Sequence, residues 1–217
     1  SLCLMRPSPS FSWTNSVLSA IRRRRIPAYN LLDEEALVAL ELQADWILQE
    51  IGVEFHGDDE ALKLFRVAGA DVQDQRVRFD PGHVRALCST APGTFKLHGR
   101  NPQQTVTLGG DHIVLMPGYG SPFVTDLDTG RRYAKLNDFQ NFVKLTYLTP
   151  WLHHSGGTVC EPVDVPVNKR HLDMVYGHLR LSNKPFMGGV TTPNQAQDSI
   201  DMVQLIFGAE FMEENAV

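Results

Sequence analysis

The sequence predicts an α/β fold, the N-terminal part of a (β/α)8 barrel preceded by a small α+β region with hairpins. Three observations carry this. From Asn137 onward, helix-period and strand-like apolar runs alternate with short links, the pattern of parallel α/β folds. Before that, short alternating runs are punctuated by Asn101-Pro102, Gly109-Gly110-Asp111 and Asp128-Thr129-Gly130, which is turn chemistry. Finally, a complete barrel needs about 250 residues, so residues 137–217 supply only its first units and the chain reads as a fragment.

The elements follow in order. Residues 1–32 read as a basic, flexible arm: the segment is rich in serine and holds the run Arg22-Arg23-Arg24-Arg25. An organelle transit peptide is the alternative to a basic surface arm. Asp33 opens a first helix as N-cap; Leu37, Leu40, Ala44, Ile47, Leu48 and Ile51 form its apolar stripe and Gly52 closes it. A second helix starts near Asp58, with Leu62 and Phe65 inward and Gly69 at its end. Residues 72–79 read as a hairpin around Asp74-Gln75. Asp80-Pro81 starts a third helix, with Pro81 at the first helical position and Val84, Leu87 and Cys88 buried.

Residues 33–100 thus form an α+β region, and 101–217 hold hairpins and the first barrel units. Strands are expected at 94–98, 105–108 and 113–116, and a hairpin at 123–127 and 131–134. Asn137-x-x-Gln140 predicts a capping box, with Phe139, Phe142 and Val143 on one face. A strand at 151–155 leads into a Gly-rich loop. Asn168 caps a helix bearing Leu172, Val175, Tyr176 and Leu179, and a strand follows at 185–190. Thr192-Pro193-x-Gln195 is again a capping box, and Gly208 ends that helix.

Composition narrows the function. Of 217 residues, 42% are hydrophobic and 21% charged, which is enough to bury a core, and the net charge of -5 gives no basis for a nucleic-acid partner. No apolar run is long enough to cross a bilayer. Cys3, Cys88 and Cys160 have neither disulfide-framework nor zinc spacing, so a reducing, cytoplasmic setting is the default.

In such folds, binding residues gather where strands end and helices begin. The loops 117–122, 153–166 and 188–192 qualify. The second is the richest: Gly156 and Gly157 let backbone approach a ligand, and Glu161 can hold a cation. Set against this, the glycines serve a turn and the acids cap a helix. His153 and His154 would point to opposite faces of a strand, and His171 and His178 lie too far apart along a helix to share one ion. No metal site is therefore expected. One histidine of the 153–154 pair should face the interior. Cys160 has no His-plus-acid setting and reads as a buried thiol. Gly118-x-Gly120 is no dinucleotide fingerprint. Tyr119, Phe123 and Trp151 could pack round a quaternary ammonium, although core packing suits each of them.

HHSGGTVCEPVDVPVNKRHLDMVYGH (153–178), followed by KPFMGGVT (184–191), resembles the trimethylamine methyltransferase (MttB) superfamily. Upstream, ILQEIGVEF, AGADV, RVRF, GRNP and YGSPFVTDLDTGRRY are similar to the same family in the same order. The resemblance implies a (β/α)8 barrel that moves methyl from a methylated amine, trimethylamine or a quaternary amine such as glycine betaine, to the Co(I) of a corrinoid. That corrinoid rides on a separate partner protein, so no cofactor is bound directly. The similarity is nearer to the branch that lacks pyrrolysine. A quaternary amine leaves as a neutral amine and needs no proton, so the enzyme's work is orientation and charge management. On this reading Glu161, His154 and Tyr119 contact the substrate, Gly156, Gly157, Gly188 and Gly189 shape the wall, and the catalytic residue is unknown. A non-catalytic methylated-amine-binding protein on the same fold is the alternative. A different barrel enzyme, such as an aldolase or lyase, is a third reading.

Overall fold

The structure is a computed structural model and describes residues 22–27 and 29–217; most of the expected arm lies outside the described residues. The chain forms two compact units: Ile26–Gly93, and residues 22–25 with Thr94–Val217. Strand β1 (Arg22–Arg23) belongs to the second unit.

The first unit is built by local signals. Asp33 caps α1 (Glu34–Trp46), its carboxylate accepting the Ala36 N–H at 2.9 Å. The helix continues through a π-helical turn (Ile47–Ile51) to Gly52. There φ is +72°, and an added Cβ would lie 2.5 Å from the Val77 carbonyl oxygen, so only glycine fits. After β2 (Val53–Glu54), Asp58 caps α2 (Asp59–Val67). Strands β3 (Asp71–Gln73) and β4 (Arg76–Arg78) form the expected hairpin, with Asp74 at φ 52°. They complete an antiparallel sheet of order β2-β4-β3. Leu62, Val77 and Phe79 are its core, with Phe55 and Phe65 packed against them.

Helix α3 (His83–Cys88) departs from expectation. Pro81 precedes it. His83 N–H donates to Asp80 O at 3.0 Å, and Gly82 sits at φ 76°. Pro-Gly therefore makes a type II turn in place of a first helical turn. Leu87 and Cys88 are exposed, and only Val84 packs inward.

In the second unit, β5 (Thr94–Leu97) pairs with β6 (Val106–Gly109), β7 (His112–Ile113) with β1, and β8 (Phe123–Asp126) with β9 (Gly130–Tyr133). Among the described residues every such strand pairing is antiparallel. The segment expected as a strand at 113–116 is paired only at its start.

The strands expected at 151–155 and 185–190 form no ladder. These two segments do run side by side in the same direction: Ser155 N–H donates to Pro185 O (2.7 Å) and Met187 N–H to Gly156 O (2.9 Å). Pro185 has no N–H to give, and Gly156 turns at φ +89°, which shifts the register by one residue. Among the described residues the arrangement is therefore a mixed α/β one without a parallel sheet.

Four helices follow: α4 (Leu136–Leu148), α5 (Val167–Leu181), α6 (Pro193–Phe207) and the unexpected α7 (Ala209–Glu214). The Asn137–Gln140 box does not form. Asp138 accepts the Lys135 N–H and Asp164 the Leu136 N–H, both at 2.8 Å, so the cap is shared between a residue of the first turn and one 28 residues along the chain. Asn168 lies inside α5, which Pro166 opens. Thr192 caps α6 as expected, while Gln195 Oε1 reaches back one residue further, to Thr191 N–H.

Val124, Ala134, Phe139, Val143, Val159, Cys160 and Met174 make the core; Phe142 and Tyr176 face out. Arg132 fastens the β8–β9 hairpin to α4 by a two-pronged bond to Asp138 (2.7 and 2.9 Å) and a third to Asp126 (3.2 Å).

Candidate functional site

The loop from His153 to Glu161 is almost entirely buried. The side chains of His153 and His154 are fixed on backbone. His153 Nδ1 accepts the Leu115 N–H (3.0 Å), and His154 Nδ1 accepts the Gly156 N–H (2.9 Å). Burial pushes His154 down to about 4, so its ring is neutral at pH 7.

Its neighbour His178 is also pushed down to about 4, chiefly by burial. His178 Nε2 lies 2.9 Å from Gly157 O, which can only accept, so the proton is on Nε2. Nδ1 therefore takes the hydrogen of Ser155 Oγ–H at 2.8 Å. Phe186 stacks on the ring and Phe139 meets it edge-on. Ser155 is 0% exposed, so this serine–histidine pair clamps the loop and offers no accessible nucleophile. Cys160 is equally closed off: it packs in the core and burial raises its thiol to about 11. Among the described residues no group of three or more His, Cys, Asp or Glu is placed to hold a metal ion.

Beyond Gly157 the loop opens onto a hollow of about 270 Å3. Thr158 and Glu161 contribute from the loop, Val167, Arg170, His171 and Met174 from α5, Gly188 to Thr191 from the segment leading into α6, and Gln195 from α6 itself. The hollow thus sits where the two side-by-side extended segments end. Gly189 leaves it open: a Cβ there would lie 2.6 Å from Thr158 Oγ1 and 3.0 Å from Met174 Cε.

Of the residues singled out from sequence, the structure brings Glu161, Gly188 and Gly189 to this hollow. Gly156 and Gly157 are not among its lining residues; a Cβ on Gly156 would strike Pro117 Cγ at 2.8 Å. His154 is not among the lining residues, and neither is Tyr119, which is exposed. The Glu161 carboxylate is paired with the Arg170 guanidinium, which also donates to Val165 O (3.0 Å). Two of the three aromatic rings already carry an arginine: Arg131 lies 4.2 Å over Phe123, and Arg22 lies 4.3 Å over Trp151.

His171 was singled out only as a partner for His178, and its role was missed. His171 Nε2 meets Asp198 Oδ2 on α6 at 2.9 Å, while its buried Nδ1 has no hydrogen-bond partner among the described residues. Arg170, Thr158 and Gln195 were missed as well. Arg170 and His171 sit at the first turns of α5, next to the loop, which is the signal that could have found them.

A separate hollow of about 560 Å3 lies beside His153, lined by Arg22, Arg23, Gln104, Thr105 and His112 among others. Arg23 is there paired with Asp111 at 3.5 Å.

The family model for trimethylamine methyltransferase (MTTB) matches residues 10–217. The chain is 41% identical over 185 residues to a glycine betaine methyltransferase of Desulfitobacterium hafniense (strain Y51), covering 85% of this chain and 38% of the relative. Two proteins of Eubacterium limosum are also similar. One is an L-carnitine:corrinoid methyltransferase, 28% identical over 161 residues (71% of this chain, 32% of the relative). The other is a proline betaine:corrinoid methyltransferase, 29% identical over 147 residues (66% and 30%). The chain thus spans 30–38% of the length of these relatives.

Proposed function

The chain belongs to the trimethylamine methyltransferase (MTTB) family, and from that premise we propose that the full-length protein moves a methyl group from a quaternary amine of the glycine betaine type to a corrinoid carried by a partner protein. The single observation that supports this most is the 41% identity to a glycine betaine methyltransferase across 85% of the chain. We read the segments around 153–157 and 184–188 as the opening strands of a (β/α)8 barrel, with the hollow at their carboxyl ends as part of its mouth.

The corrinoid supplies the nucleophilic cobalt, and this chain's residues supply position and field. Met174, Val167 and Val190 give the hollow methyl-compatible walls. Glu161 adds a negative charge that Arg170 partly offsets. This moderation suits the reaction: the positive charge on nitrogen vanishes during transfer, so a stronger carboxylate field would stabilise the ground state and slow the step.

The test uses the full-length protein, its corrinoid partner reduced to Co(I), and glycine betaine. The expected result is conversion of the Co(I) visible spectrum to that of methyl-Co(III). Retention of the betaine with an unchanged Co(I) spectrum would instead identify a non-catalytic binding protein.

A further inference from the structure

Helix α1 and its π-helical turn carry an apolar face that nothing covers among the described residues. The inner side of the helix is fixed by Glu41, which pairs with Arg85, by Asp45, which accepts the Gly82 N–H at 3.0 Å, and by Leu48, which packs against the core of Leu62, Val77 and Phe79. The rest of the apolar stripe read from the sequence, Leu37, Leu40, Ala44, Ile47 and Ile51, stays on the surface. Its four large side chains are 46–58% exposed, and Ala44 is exposed with them. The spacing of three, four, three and four residues is the seam by which helices pair. An apolar line of this length differs from singly scattered surface hydrophobics and marks an interaction site.

The register of the stripe points to its occupant. Leu37 and Ile51 stand seven residues either side of Ala44, with Leu40 four before it and Ile47 three after, so the stripe reads nearly the same in both directions. A surface that matches its own reverse suits a two-fold axis through Ala44, where the small side chain lets two helices approach to about 8–10 Å. Charge sets the direction. The start of α1 is acidic, with Asp33, Glu34 and Glu35. At the other end Arg76 and Arg78 donate to the carbonyls of Ile51 (2.7 Å) and Glu50 (3.5 Å). Arg76 is paired with Glu54, and Arg78 meets no carboxylate among the described residues. A parallel pair would set three acids against their own copies, whereas an antiparallel pair sets them against the end that holds the guanidiniums. We propose that the stripe from Leu37 to Ile51 is an interface with a second copy of this chain, the two α1 helices packing antiparallel about Ala44. Leu37 of one protomer then lies beside the partner's Ile51. This goes beyond the methyl-transfer reading and does not rest on it.

Oxidative cross-linking of the full-length protein tests this, in a C3S/C88S background that also serves as the control. The two Ala44 positions meet on the axis, so A44C should give a disulfide-linked dimer. L37C/I51C should link as well. L37C alone should not, because a rise of 1.5 Å per residue holds its two copies roughly 20 Å apart, beyond the about 7 Å that a disulfide spans between Cα atoms. L40D, which puts a charge into the seam from both sides, should raise the dissociation constant of the dimer by about 30-fold or more in sedimentation and leave the circular dichroism unchanged. Linkage through L37C alone identifies a parallel pair and overturns the inference. So does a full-length protein in which neither A44C nor L37C/I51C links. Maleimide then tells why: a reactive A44C means a bare stripe, a protected one means that another segment of the same chain covers it, and protection gained only on adding the corrinoid protein assigns the stripe to that partner.

Discussion

Lys184 carries its ammonium group into a place where, among the described residues, it meets backbone carbonyls and no carboxylate. The residue is 2% exposed, and its Nζ donates to the carbonyls of Thr146, Thr149 and Leu152 at 2.8, 2.8 and 2.6 Å. Three donors meet three acceptors, two of them at the C-terminal end of α4, where Thr146 O and Thr149 O each also accept one backbone N–H, from Thr149 and Leu152. Burial lowers its pKa to about 8, which still leaves it protonated at neutral pH. Lys184→Met would remove the ammonium donor from all three carbonyls, leaving Thr146 O and Thr149 O one backbone N–H each, and we expect a loss of about 2–3 kcal/mol, read as a lower urea midpoint. An unchanged midpoint would show that water replaces the ammonium freely. At the same scale, the hollow depends on His171 and Arg170, each paired with a residue from another segment (Asp198 and Glu161).

At the scale of elements, the β8–β9 hairpin and the start of α4 behave as one piece through Arg132. Both Asp126 and Asp138 are held below the usual carboxylate range, Asp126 mainly by the Thr129 hydroxyl and Asp138 mainly by Arg132. Arg132→Ala should accelerate amide exchange across 126–133 and in the first turn of α4, leaving α6 unaffected; uniform exchange rates in both would contradict the coupling. Which elements were legible in the sequence follows the same division between local and distant partners. Asp33, Asp58 and Thr192 cap helices through bonds three residues away, and all three were readable. The cap of α4 was not, because half of it, Asp164, lies 28 residues along the chain, beside the local bond of Asp138 to the Lys135 N–H. Pro81 satisfies the rules for a first helical turn and for a type II turn alike, and Gly82 decides between them. The hollow was half legible. Glycine pairs and an acid in a loop announce themselves, whereas the Asp198 behind His171 is separated from it by 27 residues.

For the molecule as a whole, stability should depend on pH through two buried rings. His154 and His178 both titrate near 4 when folded, against an ordinary 6.5. A histidine with a depressed folded pKa binds fewer protons in the native state. Its stabilisation is complete above 6.5 and is lost as the pH falls toward 4. The loss amounts to about 2–3 kcal/mol for each ring. Denaturant midpoints measured between pH 7.5 and 4 should therefore fall steeply in that window, and His178→Phe should flatten the slope. A wild-type curve flat from 7 to 4.5 would contradict the burial assigned to both rings. The described residues contain no helix long and apolar enough to cross a membrane.

The three carbonyls around Lys184 form the kind of oxygen cage that elsewhere captures a potassium or sodium ion. Here the cation is tethered by its own four-carbon stem, so occupancy does not depend on what is dissolved outside. The end of α4 should hold its shape equally in distilled water and in brine, while the surface pairs Arg85–Glu41 and Arg23–Asp111 loosen as ionic strength rises.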